Sequence, residues 1–266
     1  VNDHAELSRA VVDALAPDRT LLLLADYDGT LAPVVSDPRD AWLSPRMLRA
    51  LGRLAAARRA RVVVLSGRSV EDLHGRIGLP DVIYAGCHGL EIEGPDLSFR
   101  HPAADLRRPA IREIARTLQQ EVASIPGVFV DARDLAVGVY YRDVPRHRIG
   151  ALEMHVERTV DRQPGMRVVA GRRVVEVLPT LGWDKGQCAV WIHGRLQAAD
   201  TAPLAIVYLG GDGSDETAFA VLPSDALTVR VGFGPSAARY RLEDLDAVER
   251  FLSSLPQALA ENPACD

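Results

Sequence analysis

Apolar positions along the chain follow two patterns. Residues 20–25 form a continuous apolar run that stops at Asp26, as expected of a strand buried on both faces. Runs at 61–65, 81–85, 203–209 and 226–231 predict further strands of the same kind. Between them, apolar residues recur at helical spacing. Leu7, Val11, Val12 and Leu15 predict a helix over 1–16 that Pro17 closes. Ser44-Pro45 opens a second helix, through Met47, Leu48, Leu51 and Leu54 to Arg58-Arg59, where cations suit the negative end of the helix dipole. Ser69 to Asp72 has the form of a capping box and starts a helix that runs to Ile77. Further helices are predicted at 184–196, 214–222 and 243–259. Strands and helices in alternation predict an α/β fold, a doubly wound parallel sheet with helices on its faces.

The pattern changes after Pro102. A long amphipathic helix over 105–124 ends at Pro126-Gly127. Antiparallel strands are predicted next at 128–131 and 135–142, then a helix over 145–160. Residues 167–170 pair with 173–178 across Gly171. Helix, hairpin, helix, hairpin is an α+β module. The expected organisation is therefore a core of residues 1–102 and 181–266, interrupted by an insert of residues 103–180.

Composition narrows the classes of partner. The chain has 266 residues, long enough for one large domain or two modest ones. With 47% hydrophobic and 25% charged residues it is not expected to be disordered. A net charge of −5 argues against nucleic acid or a membrane surface as partner. Any anion must then be met locally, by a metal, a few basic side chains and backbone N–H groups. Cys87, Cys188 and Cys265 lack metal-ligand spacing and read as free thiols of a reducing compartment. No basic start followed by an apolar run suggests a signal peptide, and the stretch at 21–24 is too short to span a bilayer. A cytoplasmic protein, monomeric by default, is expected.

Four segments carry candidate chemistry, each at the end of a predicted element. Asp26-Tyr27-Asp28-Gly29-Thr30 follows the first strand, where open α/β sheets place their ligands. Residues two apart in an extended segment face the same way, so the two carboxylates need a cation or a shared proton. The plainer reading is an acidic turn capped by Asp28. Ser66-Gly67-Arg68 ends the second strand; its hydroxyl suits a phosphate oxygen or, equally, a helix cap. Lys185 sits near a helix start, misplaced for the helix dipole, which suggests a counter-charge. Gly210-Gly211-Asp212-Gly213-Ser214-Asp215-Glu216 gathers carboxylates that suit magnesium or merely decorate a helix N-terminus.

In this order the four segments resemble the motifs of phosphatases of the haloacid dehalogenase superfamily. More closely, residues 26–33, Leu65-Ser66-Gly67-Arg68, Gly86-Cys87-His88-Gly89-Leu90-Glu91, Val139-Tyr140-Tyr141-Arg142, Trp183-Asp184-Lys185-Gly186 and Tyr208-Leu209-Gly210 resemble trehalose-6-phosphate phosphatases. The resemblance implies a haloacid-dehalogenase-like core with an α+β cap domain, and a small-molecule sugar phosphate as substrate. It implies Asp26 as nucleophile, Asp28 as acid and base, and Lys185 as catalytic counter-charge. Mg2+ would be bound by Asp26, Asp28 through its carbonyl, and Asp212 or Asp215. Thr30, Ser66, Gly67, Arg68, His88, Glu91, Asp131, Arg133, Arg142 and Glu176 would contact phosphate or sugar. The alternatives are another phosphorylated disaccharide or pseudo-disaccharide, or a weakened sugar-phosphate-binding protein. They follow from departures: Gly211 stands where the family has a metal-binding aspartate, Asp131-Ala132-Arg133 replaces glutamate-x-lysine, and Leu178 replaces the arginine of Glu-x-Arg-Pro. Tyr140 and Cys87 also depart, from a histidine and from an asparagine or serine.

Overall fold

The computed structural model describes residues 4–15, 18–122 and 125–261. In chain order its main elements begin with α1 His4–Ala14, β1 Thr20–Ala25, α2 Pro45–Ala55, β2 Ala60–Leu65, α3 Val70–Ile77 and β3 Val82–Gly86. A hairpin follows, β4 Glu91–Gly94 and β5 Leu97–Arg100, then α4 Pro102–Asp105 and α5 Arg108–Val122. Next come β6 Phe129–Ala132, β7 Val137–Tyr140, α6 Arg146–Asp161, β8 Met166–Gly171 and β9 Val174–Pro179. The chain closes with α7 Lys185–Ala199, β10 Leu204–Gly210, α8 Glu216–Val221, β11 Leu227–Val231, β12 Tyr240–Leu242 and α9 Leu245–Glu261.

The described residues form an eight-stranded sheet in the order β12-β11-β10-β1-β2-β3-β4-β5. Pairings from β12 through β3 are parallel, and β4 and β5 add an antiparallel edge. β1 lies at its centre, and its side chains alternate between two cores. Leu21, Leu23 and Ala25 join Leu51, Leu73, Phe251 and Leu252 of α2, α3 and α9 on one face. Leu22 and Leu24 join Ile192 and Phe219 of α7 and α8 on the other. Both faces are covered, which is why this strand reads as an unbroken apolar run. A full Leu burial contributes about 1.5–3 kcal/mol, so the central strand is firmly fixed. That fixes the loops at its carboxyl end.

The insert forms the α+β cap: a four-stranded antiparallel sheet, β6-β7-β9-β8, backed by α5 and α6. Ile111, Ile114 and Leu118 of α5, with Leu152 and Val156 of α6, pack on Val137, Val139, Val175 and Val177. Among the described residues no helix is long and apolar enough to cross a membrane. Cys87 and Cys188 are free and buried, while Cys265 lies outside the described residues.

Several expectations change in detail. The helix predicted over 105–124 is two pieces, Pro102–Asp105 and Arg108–Val122, and Ser124 lies outside the described residues, as do Ala16 and Pro17. α2 stops at Ala55, so Arg58 and Arg59 lie past its end rather than on its last turn. The capping box is half made. Ser69 Oγ accepts from the Asp72 N–H at 3.2 Å, but the shorter Asp72 carboxylate turns instead to Arg68 and Arg76. The β4–β5 hairpin and β12 were not predicted, being too short for a period-2 signal to stand out.

Candidate active site

The carboxyl end of β1 places Asp26 between β2 and β10, with its N–H donating to the Leu209 carbonyl at 2.9 Å. The loop after it folds on itself: the N–H groups of Thr30, Leu31 and Ala32 all point to the Tyr27 carbonyl. Tyr27 is buried, and its hydroxyl donates to the Ala41 carbonyl at 2.8 Å, anchoring the turn.

Lys185 stands at the first position of α7 because Asp184, just before it, caps that helix by accepting from the Gln187 N–H at 2.9 Å. Its ammonium is 1% exposed and donates to Asp26 Oδ1 at 2.7 Å and Asp215 Oδ1 at 2.8 Å. Asp215 is surrounded by donors: Oδ1 also accepts from Tyr208 at 3.1 Å, and Oδ2 accepts from the N–H groups of Gly211 and Asp212 at 2.8 and 3.0 Å. Asp212 Oδ1 accepts from the N–H and hydroxyl of Ser214, at 2.8 and 2.6 Å.

These neighbours set the ionisation of the site. Burial pushes Asp26 well above the ordinary carboxylate range; Lys185 opposes that, while Asp215 and Asp212 add to it. Asp215 is also raised, by burial first. Asp212 is lowered: burial would raise it, but Lys185 and the Ser214 bonds prevail. Burial works against the Lys185 charge, yet Asp215, Asp26 and Asp212 outweigh it and hold the ammonium firmly. Three acids around one lysine leave a buried excess of negative charge, which a cation would relieve. Among the described residues no three His, Cys, Asp or Glu side chains are gathered as a metal cage. Mg2+ rarely uses such a cage; it takes one or two carboxylates and completes its shell with water and phosphate oxygens. The donors here fit that habit.

The remaining site residues fall into three groups. Ser66 and Gly67, at the end of β2, line the same cavity as Asp26, Asp28, Lys185 and Asp212, with Thr30 beside it, its hydroxyl 3.4 Å from Asp26 Oδ2. Arg68 grips Asp28 with both arms of its fork, at 2.6 and 2.9 Å, and Arg142 reaches the same carboxylate from the cap at 3.3 Å. Arg68 thus faces the second carboxylate. The third group is a buried bridge between core and cap. His88 Nε2 lies 2.7 Å from Glu176 Oε2, and Arg133 donates to Glu176 Oε1 at 2.7 Å. Arg133 also contacts Asp131 at 2.8 Å, the Tyr140 hydroxyl at 2.6 Å and the Gly67 carbonyl. His88 gets there through a turn in which Cys87, His88 and Gly89 all have positive φ. Gly67 permits the close approach, since a Cβ there would run into the Glu176 carboxylate.

Glu91 is not brought to the site. Its carboxylate accepts from the Val70 N–H at 2.9 Å and pairs with Arg100 at 3.4 Å, so it caps α3 instead. Sequence reasoning left Tyr140 and Arg172 off the site, yet both line the cavity. Arg172 sits at the tip of the β8–β9 hairpin, which comes down over Gly29, and no local pattern announces so distant a contact. The cavity measures only about 30 Å3, a few waters at most. A larger groove of about 720 Å3, lined by Arg58, Arg61, Asp81, Asp96, Arg195 and Asp200 among others, lies at the opposite end of the strands. Ligands of open α/β sheets bind beyond the carboxyl ends, so that groove is not the site.

Residues 24–245 match the trehalose-phosphatase family. The chain belongs to that family. It is 38% identical over 244 residues to the trehalose-phosphate phosphatase of Mycobacterium tuberculosis strain H37Rv, covering 90% of this chain and 62% of that protein. The chain thus spans about 62% of the length of the curated relatives it matches. Among solved structures, the Aspergillus fumigatus trehalose-6-phosphate phosphatase is 27% identical with a TM-score of 0.62, covering 96% of this chain and 98% of that one. The C-terminal domain of Candida albicans trehalose-6-phosphate phosphatase has a TM-score of 0.78 at 21% identity, covering 96% and 97%. At that identity the likeness speaks for the fold alone, a largely parallel-sheet core carrying an α+β cap.

Proposed function

We propose that this chain hydrolyses trehalose 6-phosphate to trehalose and phosphate through an aspartyl-phosphate. The observation that carries the reading is Asp26, buried at the end of the central strand and paired with Lys185 at 2.7 Å, in a chain of the trehalose-phosphatase family. Asp26 attacks phosphorus through one of its carboxylate oxygens, and the bond between phosphorus and the sugar oxygen breaks. Asp28 gives its proton to that leaving oxygen, then takes one from the water that hydrolyses the intermediate. Lys185, Ser66 and Thr30 meet the phosphoryl oxygens, where charge stabilisation counts most. Mg2+, held by Asp26, the Asp28 carbonyl and a carboxylate of the 211–215 loop, would neutralise charge on the same oxygens. Arg68 and Arg142 orient Asp28 until a ligand reaches it.

A sugar-phosphate pocket needs several hundred Å3, so the cap must swing off the core to admit substrate. Glu176, Asp131, Arg133 and Arg142 would then exchange contacts among themselves and with the core for hydroxyls of the sugar. The test is phosphate release from trehalose 6-phosphate, sucrose 6-phosphate and glucose 6-phosphate, with and without Mg2+. Trehalose 6-phosphate is expected to be cleaved fastest and only with the metal. Equal rates on glucose 6-phosphate would refute recognition of the second ring.

A further inference from the structure

Not every acid around Lys185 is free to hold a metal, and the hydrogen bonds separate them. A carboxylate offers about four acceptor positions. On Asp215 all four are taken, by Lys185, Tyr208 and the N–H groups of Gly211 and Asp212, and the residue is 0% exposed. Asp212 differs. Oδ1 is committed to Ser214, while among the described residues no donor reaches Oδ2, and the residue lines the cavity with Asp26 and Lys185. Asp26 is similar, with Oδ1 on Lys185 and Oδ2 touched only by the Thr30 hydroxyl at 3.4 Å. Position 211 offers no side chain, and a Cβ there would stand 3.1 Å from both the Gly29 carbonyl oxygen and Thr30 Oγ1. A larger residue at 211 would push against the nucleophile loop.

We propose that the divalent cation of this site takes its carboxylate donors from Asp26 and Asp212, and that Asp215 is a positioning residue. Asp215 holds the N–H groups of 211 and 212 in place and so sets where the Asp212 carboxylate lies. It also fixes Lys185 against Asp26. The inference rests on the phosphatase reading for the presence of the cation, not for which side chains hold it.

Binding is measured with Mn2+ as probe, from the electron paramagnetic resonance of the free ion, on purified full chain. Asp212→Asn is expected to weaken Mn2+ binding about ten-fold or more. Asp215 also shapes the loop, so affinity alone does not separate the two acids, and a softer donor does. Thiolates favour soft metals, so Asp212→Cys should bind Cd2+ with a thiolate-to-metal charge-transfer absorption that wild type lacks. Cys87, Cys188 and Cys265 are common to wild type and every variant, which makes wild type the blank. Asp215→Cys should show no such band. If Asp215→Cys fails to fold, the two Asp212 variants still decide. Unchanged Mn2+ binding in Asp212→Asn, no band in Asp212→Cys, or a band in Asp215→Cys would overturn the assignment, as would a wild type that binds no Mn2+. Wild type that binds Mn2+ but releases no phosphate from trehalose 6-phosphate would instead defeat the proposed activity and leave the ligand assignment standing.

Discussion

The loops of the core and the inner face of the cap both bury charge, but they spend it differently. In the core, Asp26, Lys185, Asp215 and Tyr208 satisfy one another near strand ends and a helix start, and among the described residues none of their side-chain bonds crosses to the cap. On the cap, Glu176 reaches His88, Arg142 reaches Asp28, and Arg133 reaches the Gly67 carbonyl. The core cluster is therefore a fixed instrument. The cap residues do two jobs in turn, docking the closed state and then, in the function proposed here, meeting the sugar. A change in the core should abolish chemistry or stability outright, whereas a change in the cap should shift the balance between closed and open.

The largest effect is expected at the proposed nucleophile, Asp26. Asp26→Asn leaves Lys185 paired with Asp215, so the protein should fold, yet phosphate release should fall to background because an amide is a poor nucleophile. Circular dichroism with a phosphate assay checks both halves. Lys185→Met should be the most destabilising change. It leaves Asp26 and Asp215 buried without their cation, and removing one partner of a buried pair costs about 3–5 kcal/mol. Denaturant midpoints measure it; a loss comparable to a surface substitution would mean the cluster is not a unit.

At the seam the effect is smaller and depends on pH. Burial would raise Glu176, but His88 and Arg133 prevail and hold it well below the ordinary carboxylate range. A depressed folded-state pKa contributes stability that is present above the unfolded value and lost as pH falls toward the folded one. The loss should therefore begin as pH drops below about 4.5, the reference value for a glutamate. Glu176→Gln should cost about 1–3 kcal/mol at neutral pH, leaving Arg133 with Asp131 and Tyr140. Its denaturant midpoint should then fall less steeply with acid than that of wild type. Parallel curves for the two proteins would remove Glu176 as the cause.

The same contrast explains how much the sequence discloses. Asp26, Lys185 and Asp215 lie just beyond strands or at a helix start, and the strands announce themselves as apolar runs, so local pattern reaches the cluster around Lys185. That Asp215 is saturated while Asp212 keeps an open oxygen depends on who donates to whom, which no spacing encodes. The cap face is harder still. Glu91 resembled a substrate contact and instead caps α3, because β4 turns back antiparallel beside β3 and brings its carboxylate to Val70. Arg172 lies in an ordinary hairpin turn, and only the docking of cap on core brings it over Gly29.

The smallest effect is expected from Arg142→Lys. The guanidinium divides between the Val35 carbonyl at 2.5 Å and Asp28 at 3.3 Å, a fork that a single ammonium does not reproduce. Arg68 keeps its two-armed hold on Asp28, and Ser36 still donates to Asp143 at 2.7 Å across the same seam. With those contacts intact, the loss should be about 0.5–1.5 kcal/mol, the ordinary net worth of a hydrogen bond. Amide hydrogen exchange should quicken on the segments around Val35 and Arg142, while the strand β1 stays protected. A double-mutant cycle with Ser36→Ala sharpens the point, since two contacts on one seam should couple rather than add. If Arg142→Lys alone loosened the whole cap as much as Glu176→Gln, the latch would lie at Asp28 rather than at Glu176. The division between a fixed core and a cap docked through His88 would then have to be redrawn.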